Sequence, residues 1–127
     1  MTKTNGKKIL IVEDELPLLK ALSIKLTNEG FTVLQAQNGQ IGLDLALKEH
    51  PDLILLDIVM PKLDGISLAE KYNQKKTGLK APIIILSNLD RADKIEESKK
   101  KGVHDYLVKT NWSLDDVVEK IKTTLNL

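Results

Sequence analysis

The chain has 127 residues, with 19 basic and 18 acidic side chains and a net charge of +1. This length is typical of one compact domain, and the balanced charge provides no broad field that would attract nucleic acid or anionic membrane. The absence of cysteine excludes disulfides, thiolate metal sites and cysteine nucleophiles. The apolar runs are far shorter than the roughly 20 residues that cross a bilayer. We therefore expect a soluble cytoplasmic protein that contacts neither membrane nor nucleic acid directly.

Five short apolar runs rich in Ile, Leu and Val recur along the chain. They cover residues 9–12, 31–36, 53–56, 83–86 and 106–108. Continuous apolarity indicates strands that are covered on both faces. Segments with helical spacing separate the runs, and this alternation predicts an α/β protein with a parallel sheet and helices on both of its faces.

The first two helices are predicted from apolar spacing and end signals. The first is expected to stop near Gly30 and to bury Leu19, Leu22 and Leu26. The second is expected to start at Asn38, to bury Ile41 and Leu45, and to end before Pro51.

The third and fourth helices are predicted from aspartates that can accept hydrogen bonds at a helix start. Asp64 is expected to cap the third helix, which turns Leu68 and Tyr72 inward. Asp90 is expected to cap the fourth helix, which contains Ile95 and ends at Gly102.

The fifth helix has the clearest start signal. Ser113 and Asp116 have the spacing of a capping box, and Trp112 and Val117 stand at the positions of a hydrophobic staple. One apolar stripe is predicted along this helix, formed by Leu114, Val117, Val118, Ile121 and Leu125.

Polar side chains follow four of the five strands and would meet at one edge of a parallel sheet. These residues are Glu13, Asp14, Asp57, Ser87, Asn88 and Lys109. Each alone has an ordinary explanation: Asp14 as a helix cap, Asp57 as an exposed strand end and Lys109 as a solvated lysine. Together, three carboxylates would raise one another's pKa unless a cation lay among them.

A hard divalent cation would relieve this repulsion. Mg²⁺ takes oxygen ligands and is typically held by one or two carboxylates plus phosphate oxygens. His50 and His104 lie outside the strand-end set and are expected to be surface or helix-end residues, so a transition-metal site is not indicated. The residues therefore favour phosphoryl chemistry with Mg²⁺.

Five sets of residues stand out in chain order: residues 9–14, residues 53–57, Met60-Pro61 with Asp64-Gly65, Ser87, and residues 106–109. Their identities, order and spacing resemble the signature set of response regulator receiver domains. We expect a receiver domain over residues 7–125, preceded by a short polar extension of residues 1–6. The resemblance implies a flavodoxin-like, doubly wound, five-stranded parallel sheet of order 2-1-3-4-5 with five helices.

The resemblance also implies a role for each strand-end residue. Asp57 would accept a phosphoryl group from a phosphohistidine on a histidine kinase or histidine phosphotransfer protein, and a receiver is a signalling domain rather than an enzyme. Lys109 and the Ser87 hydroxyl would contact phosphoryl oxygens. Asp14 would bind Mg²⁺ directly, Glu13 would help through a water molecule, and Asp57 and the backbone carbonyl of Val59 would complete the protein ligands.

Ser87 and Tyr106 are the switch residues that the resemblance implies. Tyr106 would turn inward when Ser87 moves, and it is equally well interpreted as a half-buried strand tyrosine. The output surface would consist of the fourth helix, fifth strand and fifth helix, where an unknown downstream protein would dock.

Several positions depart from the family pattern or modify it. Thr110 stands where proline is usual, so a cis bond after Lys109 is not expected. Asn88 adds bulk beside the phosphoryl site, and Glu13 is a mild variation. Val59 and Leu89 offer no hydrogen bond to an attacking water, which predicts slow loss of the phosphoryl group.

Other classes of protein share parts of this pattern. A flavin-binding domain has the same topology, but acidic Glu13, Asp14 and Glu15 would repel its phosphate. A phosphatase with an aspartyl nucleophile usually has a second aspartate where this chain has Val59. A receiver-like binding module without phosphorylation, a phosphorelay intermediate and an excised domain of a larger regulator also remain open.

Overall fold

The computed structural model describes residues 5–60 and 62–127. Residues 1–4 of the expected N-terminal extension, and Pro61 of the Met60-Pro61 pair, lie outside the described residues. Across the two described ranges, no helix is both long and apolar enough to span a membrane.

Strands and helices alternate along the described chain. The strands are β1 (Lys8–Val12), β2 (Thr32–Ala36), β3 (Leu53–Leu56), β4 (Ile83–Ser87) and β5 (Asp105–Val108). The α-helices are α1 (Leu16–Asn28), α2 (Gly39–Glu49), α3 (Gly65–Lys75), α4 (Ala92–Lys100) and α5 (Leu114–Thr124). A single 3-10 turn, Lys109–Asn111, joins β5 to α5.

The strands form one parallel sheet in the order β2-β1-β3-β4-β5, which confirms the predicted fold class. Each face of the sheet has its own hydrophobic cluster. One contains Leu10, Leu56 and Ile85 with α2 and α3, and the other contains Ile9, Leu55 and Ile84 with α1 and α5. Because residues i and i+1 of a strand point to opposite faces, unbroken apolar runs supply both clusters.

Helix α2 is buried on a different face from the one predicted. Asn38 caps it as expected, its side chain accepting from the Ile41 amide at 2.9 Å. The expectation that α2 buries Ile41 is wrong, since that side chain is 45% exposed, and Leu45 is only partly buried. The buried face instead carries small residues and one leucine: Gly39, Gly42, Leu43 and Ala46. A Cβ at Gly42 would come within 2.8 Å of Val12, so this face brings α2 very close to β1.

The predicted cap of α4 is also wrong. The N-cap residue is Arg91, one position after Asp90, and it makes no side-chain cap hydrogen bond. Its guanidinium instead binds the Asp93 carboxylate at 2.7 Å. The helix ends close to Gly102 as expected, and Ser98 is the one buried residue of α4.

The predictions for the other helices hold. Asp64 accepts from the Ser67 amide at the start of α3, and Leu68 and Tyr72 are buried. Ser113 and Asp116 form the capping box of α5, and Trp112 packs on the same cluster as buried Val117. Leu19, Leu22 and Leu26 form the buried face of α1.

Candidate phosphoryl and metal site

The carboxyl ends of β1 and β3 bring three acidic side chains together. The Asp57 amide donates to the Val12 carbonyl at 3.1 Å, and the Glu13 amide donates to the Ala36 carbonyl at 2.9 Å, so strand pairing extends to the first acidic residue after each strand. Glu13, Asp14 and Asp57 each offer one carboxylate oxygen, and these oxygens lie within 4.8 Å of one another. Such a set of oxygen donors suits Mg²⁺, which is typically held by one or two carboxylates with water molecules completing its shell.

Asp57 is buried, contrary to the expectation of an exposed sheet edge. Asp57 is only 5% exposed, and its Oδ1 accepts a hydrogen bond from the Ile58 amide at 2.7 Å. Glu13 is also buried, whereas Asp14 is exposed. The possibility that Asp14 caps the first helix is not realised, since Glu15 is the N-cap residue of α1 and no side chain caps that end.

Lys109 provides the positive charge of this cluster. Its Nζ lies 3.0 Å from Glu13 Oε1 and 3.4 Å from both Asp57 Oδ2 and Glu15 Oε1. Its side chain is 12% exposed, so the ammonium is largely removed from water. The Lys109–Thr110 bond is trans, as expected from the absence of proline.

The ionisation of Glu13 and Lys109 reflects this crowding. Burial, together with the nearby negative charge of Asp57, raises the pKa of Glu13 from 4.5 to about 7 even though Lys109 acts in the opposite direction. Burial alone would lower the pKa of Lys109, but its hydrogen bond to Glu13 and the charge of Asp57 raise it overall. The site thus holds more negative charge than one ammonium neutralises, which favours a second cation.

A cavity of about 370 Å³ opens beside these carboxylates. It is lined by Asp14, Glu15, Asp57, Val59, Ser87, Asn88 and Leu89. Val59 is 63% exposed, so the chain leaves an apolar side chain facing solvent next to Asp57. The cavity is large enough for a phosphoryl group with bound water, since a water molecule occupies only about 30 Å³ in the liquid.

Ser87 and Tyr106 are linked through the loop that follows β4. The buried Ser87 hydroxyl oxygen accepts from the Leu89 amide at 3.2 Å. The Tyr106 hydroxyl donates to the carbonyl of the same residue, Leu89. Burial raises the pKa of Tyr106, so its hydroxyl stays protonated and can donate. Leu89 in this loop therefore forms hydrogen bonds with both predicted switch residues, Ser87 and Tyr106.

Two residues important to this geometry were missed at the sequence level. Glu15 binds Lys109 across 94 positions of sequence, and only the fold shows that pair. Gly65 lies so close to β3 that an added Cβ would stand 2.2 Å from the Asp57 carbonyl oxygen. The Asp64-Gly65 pair was visible as a motif, but its steric role was not. His50 and His104 are exposed and outside the carboxylate cluster, as expected.

Solved structures resemble this fold closely. The receiver domain of the Francisella response regulator 1452 superposes with a TM-score of 0.85 at 30% identity, covering 94% of this chain and 96% of that one. A CheY-like response regulator receiver domain protein from Methanospirillum hungatei JF-1 gives a TM-score of 0.87 at 30% identity, covering 94% of both chains.

Curated relatives are regulators about twice as long. A probable transcriptional regulator, ycf27, from Cyanophora paradoxa is 39% identical over 95% of this chain and 49% of its own length. The response regulator ArlR from Staphylococcus aureus strain Mu50 is 36% identical over 93% of this chain and 52% of its own length. The chain thus spans about half the length of these relatives. The family model for the response regulator receiver domain matches residues 9–122, and the chain belongs to that family.

Proposed function

We propose that this receiver domain accepts a phosphoryl group on Asp57 from a phosphohistidine of a histidine kinase or histidine phosphotransfer protein. The observation that carries the proposal is the meeting of three carboxylates within 4.8 Å beside a cavity, with the Lys109 ammonium in contact with Asp57. Family membership supports this role over the flavin-binding and phosphatase alternatives.

The transfer replaces one bond to phosphorus with another. An Asp57 carboxylate oxygen would attack phosphorus as the P–N bond of the donor histidine breaks, and the histidine nitrogen would keep that electron pair. Mg²⁺, when bound by Glu13, Asp14, Asp57 and the Val59 carbonyl, would neutralise charge on the transferring group. The hydrogen bond from the Ile58 amide to Asp57 Oδ1, at 2.7 Å, supports this role because it fixes the orientation of the carboxylate.

Lys109 and Ser87 would bind the phosphoryl group after transfer. The Lys109 ammonium contacts Asp57 Oδ2 at 3.4 Å and needs only a short displacement to reach an oxygen attached there. The Ser87 hydroxyl would donate to another phosphoryl oxygen. Its link to Leu89, and from there to Tyr106, offers a route by which a new bond at Ser87 would change the loop before α4.

The output of this change is part of the proposal. We infer that α4, β5 and α5 form the surface on which an unknown downstream protein docks, in a two-component pathway of the cytoplasm.

The proposal is tested by intact-protein mass spectrometry after treatment with a small phosphodonor and Mg²⁺. We expect the mass of one added phosphoryl group in the wild-type protein and none in Asp57→Asn. Asp44→Asn, on the exposed surface of α2, is the matched control and should be modified like the wild type. Modification of Asp57→Asn, or none in the wild type, would overturn the assignment in favour of a binding module without phosphorylation.

A further inference from the structure

The net charge of +1 conceals a strong separation of charge. Residues 71–82 contain four lysines and residues 98–104 contain three, and neither segment has a carboxylate. The rest of the chain therefore has 12 of the 19 basic residues against all 18 acidic ones, so it carries a net charge of −6 opposite a charge of +7. Like charges that are concentrated in this way produce a local field even when the whole chain is nearly neutral.

The fold brings the two basic segments into contact. The first comprises the end of α3 and the loop that leads to β4, and the second comprises the end of α4 and the turn that leads to β5. Asn73 Nδ2 donates to the Lys101 carbonyl at 2.8 Å, and Lys80 Nζ donates to the Asn73 carbonyl at 2.7 Å. Both segments precede their strands, so they lie at the edge of the sheet opposite Asp57.

An open groove of about 700 Å³ lies between the segments, and it is larger than the cavity at Asp57. Basic and amide side chains line most of it, namely Asn73, Gln74, Lys80, Lys100, Lys101 and His104. The one carboxylate in its lining, Glu70, is already bound to Lys101 at 2.9 Å. The groove therefore offers an anionic ligand several cations with only one competing acid.

An exposed leucine adjoins this groove. Leu79 is 96% exposed, and it lines a neighbouring depression that shares Lys80 and Ala81 with the groove. Leu79 lies in the loop between α3 and β4, and it contributes little to the packing of helices on the sheet because nearly all of its surface faces water. Apolar contact beside charged contact is typical of surfaces that bind other proteins.

We propose that this basic groove, together with Leu79, docks an acidic segment of a partner protein that carries an apolar side chain. The lysines would pair with its carboxylates, and Leu79 would pack on the apolar residue. Nucleic acid fits less well. The aromatic residue of the two segments, Tyr72, is fully buried and offers no surface for stacking bases, and Leu79 has no use against phosphates.

The proposed surface is separate from the phosphoryl site and is testable without phosphorylation. A fluorescent peptide of alternating glutamate and leucine is titrated into the full chain, and binding is followed by anisotropy. A single-stranded DNA oligonucleotide and a polyglutamate peptide serve as comparison probes. The variants are Lys80→Glu combined with Lys100→Glu, and Leu79→Ser; Lys20→Glu, at an exposed position on α1, is the control.

We expect the double charge reversal to weaken peptide binding at least about tenfold and Lys20→Glu to leave it nearly unchanged. Leu79→Ser should weaken binding of the glutamate–leucine peptide but not of polyglutamate. Because all substituted side chains are exposed, unfolding is not expected, and a circular dichroism spectrum checks this. Three outcomes would overturn the proposal: no peptide binding, DNA binding that is as tight and is insensitive to Leu79→Ser, or concentration-dependent self-association abolished by the double variant, which would make a second copy the occupant.

Discussion

The Lys109 ammonium lies nearer to Glu13 than to Asp57, with Nζ at 3.0 Å from Glu13 Oε1 and at 3.4 Å from Asp57 Oδ2. The lysine is therefore held by the same carboxylates that we propose as metal ligands. A divalent cation and the ammonium must share these oxygens or divide them. This relationship leads to the first two predictions.

Lys109→Met should destabilise the metal-free protein by about 1–3 kcal/mol, because Glu13 and Asp57 would lose their buried cationic partner. Mg²⁺ should then stabilise the variant more than the wild type, since the ion no longer competes with the ammonium. Urea unfolding in chelator and in Mg²⁺ measures both effects. Lys120→Met, which breaks a more exposed pair with Asp105, is the control and should cost at most about 1 kcal/mol. Equal losses in the two variants would contradict the prediction.

Asp14→Asn should weaken Mg²⁺ binding at least about tenfold, a loss of about 1.4 kcal/mol. Asp14 is the exposed member of the carboxylate cluster, so its substitution removes a charged ligand with little effect on packing. Metal titration followed by Trp112 fluorescence or NMR gives the affinity without any phosphodonor. Asp44→Asn controls for the general loss of one negative charge. An unchanged affinity in Asp14→Asn would remove this residue from the ligand set.

The stability of the metal-free protein should fall as the pH rises from about 4.5 to 7. The pKa of Glu13 is about 7 in the fold, against an ordinary value of 4.5, so the folded state retains a proton that the unfolded chain loses in this range. This contribution is fully present below about pH 4.5 and is lost as the pH passes 7. Urea unfolding in chelator should show a flatter pH dependence for Glu13→Gln than for the wild type. Parallel pH profiles for the two proteins would show that Glu13 is not the titrating group.

Val59→Asn should speed loss of the phosphoryl group roughly twofold to tenfold, which is the effect of about one hydrogen bond to the attacking water. Val59 is 63% exposed, so the substitution leaves the core intact. Faster decay could come from a new hydrogen bond to the attacking water or from the loss of apolar cover. Val59→Ala separates these two explanations, because it removes apolar cover without adding a hydrogen bond. Decay of the phosphorylated protein is followed by mass spectrometry.

Leu89→Glu is a less direct probe of the same hypothesis. Leu89 is partly buried against the core, and its backbone holds both Ser87 and Tyr106, so a changed lifetime could arise from loop movement. If phosphorylated Val59→Asn loses its phosphoryl group at the wild-type rate, the Val59 side chain does not control the lifetime of the phosphorylated protein.

Much of the site follows from the sequence because the topology of a parallel sheet brings strand ends together. The positions of Glu13, Asp57 and Ser87 required only the identification of three strands. The burial of Asp57 did not follow, since it depends on contacts between distant parts of the chain, such as the one with the Lys109 side chain. The sequence around Asp57 contains no pattern that would predict this burial.

The errors in α2 and α4 have different physical origins. Apolar spacing selects the largest side chains, and α2 instead buries a face of small residues because its axis lies close to β1 at Gly42 and Val12. At α4, Asp90 has the chemistry of a cap but lies one residue too early to accept from the first turn. At α2, tertiary packing rather than intrinsic preference determined which face is buried.

Helix α4 is attached to the sheet by little buried surface, with Ser98 as its one buried residue. A segment with so few apolar contacts has a low free energy of local opening, whereas β4, the strand that precedes it in the chain, is buried at all five positions. Backbone amides of α4 should therefore exchange with deuterium well before those of β4. If phosphorylation at Asp57 alters the loop after Ser87, as we propose, α4 is the helix that would move at the lowest free-energy cost, while buried β4 would keep Ser87 in place.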